Sequence, residues 1–494
     1  MYYVSTRNAS LKFSASEAIV QGLSRDGGLF LPEEIPQITL GEIEALAKLP
    51  YAQRAAKIMK LYLEEFSEEE LLGFAEKAYG PMKFDTPAAA PVVEAEPGSL
   101  VLELWHGPTC AFKDMALQML PYLLTASLRK TGEEKTVCIL VATSGDTGKA
   151  ALEGFRDVEH TKILVFYPNG GVSDIQKLQM VTQEGSNVGV CAVEGNFDDA
   201  QTGVKRIFSD AHLRGQLEKN GFFLSSANSI NWGRVLPQIV YYISAYCDAM
   251  TSGAVKPGDR INFCVPTGNF GNILAGYYAK KMGLPVNKLI CASNENNVLT
   301  DFIRTGTYDR NRPFYQTASP SMDILISSNL ERLLYLLSGS DEQVRGYMSS
   351  LNETGKYTVS EKIRTAVAEE FACGYADDAS GAETIRRMFT EKHYLMDTHT
   401  AVAYTVLAQY RAETGDETPT VIDSTASPFK FCTSVLSALG ENEQAQGTAI
   451  IDQLADVSGR PAPGPLAELA GKTVRFERVV KKEDMKAVVT EFLR

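Results

Sequence analysis

Histidine is scarce in this sequence, five residues in 494, and none stands in an H-x-x-x-H or H-E-x-x-H spacing. A zinc site held by the protein therefore lacks its usual ligand pattern. Basic residues are outnumbered, with 48 Lys and Arg against 61 Asp and Glu and a net charge of −13. A nucleic-acid surface needs a cationic footprint, so that class is set aside, whereas a local cationic pocket for a small anion is compatible with the balance. No run approaches about 18 uninterrupted apolar residues, and the N-terminus MYYVSTRN has neither a basic leader nor an apolar core. The expectation is a cytoplasmic chain with no membrane span. The cysteines at 110, 138, 191, 247, 264, 291, 373 and 432 include no C-x-x-C pair and fall largely in apolar runs, so they read as buried free thiols in a reducing compartment.

What the chain does have is ordinary globular material, 44% hydrophobic and 22% charged, at a length that suits two or three packed units. Residues 14–80 are helical in period, with helices expected over 15–23, 51–66 and 68–79. Pro81, Pro87 and the tract AAAPVVEAEPG break that pattern, which places a boundary near residue 90, between an N-terminal mainly helical domain (1–90) and a second region (91–494). In the second region, apolar runs alternate with helices: VLELW, VCILVAT, KILVFY, NVGVCAVEG, GFFLSS, INFCVPT, KLICASN and TVIDST are the expected strands. Such alternation predicts βαβ units on parallel sheets flanked by helices. In the helix from Ile230, residues Trp232, Val235, Leu236, Ile239, Val240 and Ile243 predict one apolar stripe laid on a sheet. Residues 325–395 read as an inserted or peripheral helical layer with no convincing strand.

Several loops carry chemistry. Lys113, in HGPTCAFKD, follows a strand and opens a helix. A lysine that forms a Schiff base must be reachable and able to lose its proton, because only the neutral amine attacks a carbonyl; taken alone, the commoner reading is a solvated lysine. In VPTGNFGNILAG, Gly268, Asn269, Phe270, Gly271 and Asn272 join a strand to a helix, which points backbone N–H groups and a helix N-terminus at a phosphate, or simply makes a tight turn. It is neither a dinucleotide fingerprint nor a Walker A loop. ATSGDTGKA offers Thr143, Ser144 and Thr147 at a helix start, suited to a carboxylate, with Ser144 or Asp146 as a helix cap. NSINWGR places Asn228 and Ser229 before a helix and Arg234 one turn into it, where a guanidinium fits a phosphate or a surface ion pair. STASPFKF sets Ser424 and Thr425 at a strand end, and His106 and Cys110 read as packing residues.

Together these segments, with the N-terminal STRN and EAIVQGLSRDGGLFLPE, the SPSMDI run and DTHTAVA, resemble the threonine synthase family, pyridoxal phosphate enzymes of the tryptophan synthase β-like fold (fold type II). The likeness covers nearly the whole chain and is closest to the longer-chain branch. It implies a two-lobed α/β catalytic region. Lys113 would hold the cofactor as a Schiff base and act in catalysis, residues 268–272 would grip its phosphate, and Thr425 would face the pyridine nitrogen. Asp146, where shorter relatives carry Asn near the ring hydroxyl, would be a further cofactor contact. Ser144, Thr147, Asn228, Ser229 and Arg234 would surround the substrate. Cys110-Ala111 stands where the family has Leu-Ala, and Ser427 and Phe429 replace a His and a small residue.

The activity so implied is conversion of O-phospho-L-homoserine and water to L-threonine and phosphate, by a monomer or homodimer. The same motifs suit another fold type II lyase, a phospholyase or dehydratase that does not hydrate the intermediate, and a non-catalytic anion-binding protein retains the fold without the chemistry.

Overall fold

The computed structural model describes residues 1–494 apart from Ser144, Gly171, Glu443 and the side chain of Asp198. One lobe is built on a six-stranded sheet in the order Phe371–Tyr375, Val286–Ser293, Ile261–Pro266, Thr420–Ser424, Ser99–Glu103, Val92–Glu96. All neighbours are parallel except the last pair. The other lobe carries a five-stranded parallel sheet in the order Val479–Lys481, Val188–Glu194, Thr161–Pro168, Thr136–Ala142, Phe222–Ser225. The central strands are nearly continuous apolar runs because helices cover both faces. All five of the chemistry-bearing loops follow the C-terminal ends of these strands, where ligands gather in open α/β sheets.

The expected alternation is present, and the departures have local causes. The helix expected from Lys113 is two pieces, Asp114–Leu117 and Leu120–Thr131. Pro121 lacks an N–H and its ring crowds the Leu117 carbonyl four residues back, which ends the first piece. The tract expected to be a boundary contains the strand Val92–Glu96, an antiparallel edge added to Ser99–Glu103. The N-terminal region, besides its helices Ala15–Gln21, Tyr51–Tyr62 and Glu68–Tyr79, folds Tyr3–Ser5, Asn8–Phe13 and Phe30–Pro32 into a three-stranded antiparallel sheet. Ser14 with Glu17 and Ser67 with Glu70 start two of those helices as reciprocal capping boxes.

Residues 325–395 are more than a peripheral helical layer. They include Phe371–Tyr375, which extends the six-stranded sheet, and Lys356–Thr358, which pairs with Thr307–Asp309. The helix Trp232–Thr251 is buried on nearly every face rather than along one stripe, packing against Gly271–Lys281, Tyr51–Tyr62 and Leu40–Ala47. Trp232 lies with its ring centroid 5.7 Å from Tyr3, 5.6 Å from Tyr62 and 5.3 Å from Tyr278, so the N-terminal segment shares one core with the six-stranded lobe. Among the described residues no helix is long and apolar enough to cross a membrane.

Candidate active site

A cavity of about 1220 Å³ opens where the strand-end loops of the two lobes meet. Lys113, Asp146, Thr147, Asn228, Ser229, Arg234, Gly268, Asn269, Phe270, Gly271, Asn272 and Thr425 all line it. Ser144, also expected there, lies outside the described residues.

The Lys113 loop is held by the loop after Thr420–Ser424. Phe112 N–H donates to Thr425 O at 2.8 Å, Ser427 N–H donates to Cys110 O at 3.0 Å, and Ala111 bridges Ala426. This pairing sets Lys113 and Thr425 on one wall. The solvated-lysine alternative does not hold, since the Lys113 side chain is 11% exposed. Its Nζ stands 3.5 Å from Ser321 Oγ, 3.7 Å from Asp146 Oδ2 and 4.5 Å from the Phe112 ring centroid. Burial lowers its ammonium to about 8, against the opposing pull of the Asp146 carboxylate.

In the turn 268–272 the first helical hydrogen bond is Leu274 N–H to Phe270 O, leaving the N–H groups of Gly271, Asn272 and Ile273 at the open helix end. Phe270 adopts φ +62°, a left-handed conformation costly for a residue with a side chain. Its ring is buried and packs 5.6 Å from Phe371. A Cβ on Gly268 would sit 2.7 Å from Ser321 O, so the turn and the 320–322 segment approach each other backbone to backbone. This open helix end with its close-packed glycine is a cradle that fits a phosphate. The Asn272 side chain is turned away into the core, where Oδ1 accepts from Tyr241 and Tyr242 and Nδ2 donates to Asp423 at 3.0 Å. Only the Asn272 backbone is left for a ligand.

The helix Asp146–Phe155 is not capped by Asp146. Thr143 Oγ1 takes that role, accepting from Gly145 N–H at 3.0 Å and Gly148 N–H at 2.9 Å. Asp146 is instead buried among cations: Lys430 Nζ lies 2.8 Å from Oδ1, and Gln176 Nε2 donates to the same oxygen at 2.9 Å. Burial raises its pKa, but Lys430 and Lys113 outweigh that and hold the carboxylate well below its ordinary range.

Arg234 is 3% exposed, which removes the surface ion-pair alternative. Its Nη1 donates to Ala227 O, while Nε finds no partner among the described residues. Burial lowers its pKa to about 10, so it stays cationic near neutrality. Asn228 Oδ1 is likewise buried without a described partner. A buried guanidinium with a free edge is the donor chemistry of an anion site.

Around the cavity stand supporting residues whose roles were not read from the sequence, although His399 lies in the DTHTAVA run. Arg332, fully buried, donates to Phe30 O, Ser229 O, Ile230 O and Asn329 Oδ1. Asn329 Nδ2 then donates to Ser229 Oγ at 3.0 Å and Asn269 O at 3.1 Å, tying the 228–230 loop to the phosphate turn. His399 Nδ1 meets Asp397 Oδ2 at 2.7 Å and Nε2 accepts Ser321 N–H at 3.2 Å, which anchors the 320–322 segment over Lys113. His106 packs as expected, its ring stacked 4.3 Å from that of Trp105, and it also bridges Asp85, at 2.6 Å, and Glu103, at 3.0 Å. Cys110 is buried as expected, at φ +58°.

The family model described as pyridoxal-phosphate dependent enzyme matches residues 85–424. Those described as threonine synthase N terminus and threonine synthase, C-terminal match 2–79 and 400–490. Threonine synthase from Saccharomyces cerevisiae is 39% identical over 464 residues, 88% of this chain and 89% of that one. Human threonine synthase-like 1 is 40% identical over 444 residues, 88% of this chain, and the match spans 59% of the human protein. The crystal structure of pyridoxal phosphate-bound threonine synthase from Brucella melitensis superposes with a TM-score of 0.88 at 38% identity over 100% of both chains. The fold is thus that of the type II pyridoxal phosphate enzymes. Within that class, the chain belongs to the threonine synthase family.

Proposed function

We propose that this chain converts O-phospho-L-homoserine and water to L-threonine and inorganic phosphate, using pyridoxal phosphate. The observation that carries the reading is one cavity holding both Lys113, whose amine is accessible near neutral pH, and Arg234, a buried cation with no acidic partner among the described residues.

Lys113 would hold the cofactor covalently, the N–H groups of the 268–272 turn its phosphate, and the Thr425 hydroxyl its pyridine nitrogen. When bound, pyridoxal phosphate supplies an electron sink for negative charge developing at the substrate carbons. A neutral hydroxyl partner leaves that sink weaker than a carboxylate partner would, so the protein must place the protons.

Lys113 Nζ is the group that does this. Freed as an amine, it takes the proton from the α-carbon of the substrate and carries protons to and from the neighbouring carbon. Arg234, with Asn228, Ser229 and Thr147, receives the substrate phosphate and retains its charge as it leaves the γ-carbon. The loop 143–148 offers its helix end to the substrate carboxylate. The 320–322 segment, anchored by His399, shields the Lys113 side of the cavity from bulk water.

On this reading residues 1–90 are an N-terminal domain packed on a catalytic region, 91–494, and the enzyme works in the cytoplasm, in keeping with eight free cysteines. The test is product stoichiometry. Purified protein given pyridoxal phosphate and O-phospho-L-homoserine is expected to form threonine and phosphate one to one, and Lys113→Ala to form neither. Release of 2-oxobutanoate without threonine would move the protein to the phospholyases.

A further inference from the structure

Lys430 is an unusual residue to find where it is. It is 1% exposed, and a buried ammonium is costly unless paired. Its Nζ donates to Thr109 O at 2.8 Å and pairs with Asp146 Oδ1 at 2.8 Å. Gln176 completes that oxygen, so Oδ1 is fully engaged on the side away from the cavity. The other oxygen, Oδ2, faces Ser321 Oγ at 3.4 Å and Lys113 Nζ at 3.7 Å. One carboxylate thus lies between two lysines, and the tighter contact goes to the one outside the cavity.

We propose that Lys430 is a positioning residue for Lys113 acting through Asp146: it neutralises that carboxylate from behind, so that Asp146 orients the Lys113 amine without locking it as an ammonium. The inference rests on the reading of Lys113 as the cofactor-bearing amine. Its physical basis is charge balance. With Lys430 in place, Lys113 faces an ion pair of nearly zero net charge. Without it, Lys113 would be the sole counter-ion of a buried carboxylate, and an ammonium so held does not attack a carbonyl. The charged groups facing Lys113 are Asp146, which favours the ammonium, and Lys430 and Arg234, which disfavour it. Lys430 itself lies near Asp114 and the Cys110 thiol besides Asp146. Asp114 is held by the N–H and hydroxyl of Thr109, whose carbonyl accepts from Lys430, so that side of the lysine is fixed in place.

The test needs no turnover, and so is separable from the proposed activity. Competitive acylation of the cofactor-free full chain across pH, read at Lys113 by mass spectrometry, is expected to give a midpoint near about 8 in the wild type. Lys430→Met, which keeps the length of the side chain and removes its charge, should raise the midpoint and slow Lys113 labelling at pH 7 roughly fivefold to tenfold. Borohydride-trapped pyridoxal phosphate on Lys113 should slow by the same factor. Asp146→Asn should move the midpoint in the opposite direction. A folded Lys430→Met protein with the wild-type labelling profile overturns the proposal. Should that variant not fold, Lys430→Arg is expected to keep the wild-type midpoint, and a midpoint unmoved by Asp146→Asn overturns the proposal equally.

Discussion

Asn272 and Asp423 share a hydrogen bond of 3.0 Å in the core directly behind the phosphate turn, and Tyr242 places its hydroxyl 3.0 Å from the same Asp423 oxygen. This contact turns the Asn272 side chain inward and leaves the backbone of the turn to face the cavity. Asp423 is fully buried, and its Oδ1 has no partner among the described residues. A carboxylate so placed is expensive, and burial raises its pKa to about 7.

The sign of the resulting pH dependence follows from linkage. A carboxyl whose folded pKa, about 7, lies above its ordinary 3.8 contributes stability that is full below 3.8 and lost as pH rises to about 7. The loss is on the order of 4 kcal/mol. Asp423→Asn mimics the protonated form and keeps both hydrogen bonds. Its melting temperature should match the wild type near pH 4 and exceed it at pH 8. A difference between the two proteins that does not change with pH contradicts the assignment.

Arg234 is expected to weaken the ligand-free protein while serving its ligand. Arg234→Met removes a buried cation that has no acidic partner among the described residues, so the melting temperature without ligand should stay level or rise. Inorganic phosphate should raise the melting temperature of the wild type by linkage and not that of the variant. The kcat/KM should fall roughly 100- to 1000-fold, the loss of a charge-assisted phosphate contact. A variant that phosphate still stabilises would place the anion elsewhere.

The two glycines of the turn should differ. A Cβ at Gly268 would stand 2.7 Å from the Ser321 carbonyl and 3.3 Å from Met322 Cα, both backbone atoms, whereas one at Gly271 meets the Asn329 amide at 3.3 Å. Gly268→Ala must displace the 320–322 segment and is expected to weaken pyridoxal phosphate binding roughly 10- to 100-fold; Gly271→Ala, which asks only a side chain to shift, should cost less than about tenfold. Titration of the cofactor-free variants followed by fluorescence quenching reads both. Equal losses would show that the 268–321 approach does not shape the cradle.

The local pattern of the chain determined the alternation of strands and helices, the parallel sheets and the motif loops at the strand ends. These follow from period, turn chemistry and apolar runs, which act over a few residues. Short strands such as Phe371–Tyr375 and Val479–Lys481 escaped that reading because their pairing partners, Val286–Ser293 and Val188–Glu194, are distant in sequence and supply most of the reason to be extended.

Residue types also indicated which side chains could do chemistry, among them Lys113, Arg234 and Thr425, but not their charge environment. The burial of Arg234, the turning of Asn272 into the core, the anchoring of Ser321 by His399 and the pairing of Lys430 with Asp146 were decided by tertiary structure alone. Desolvation and Coulomb interaction depend on distance in space, and residues 113, 146, 321 and 430 become neighbours only when both sheets have formed.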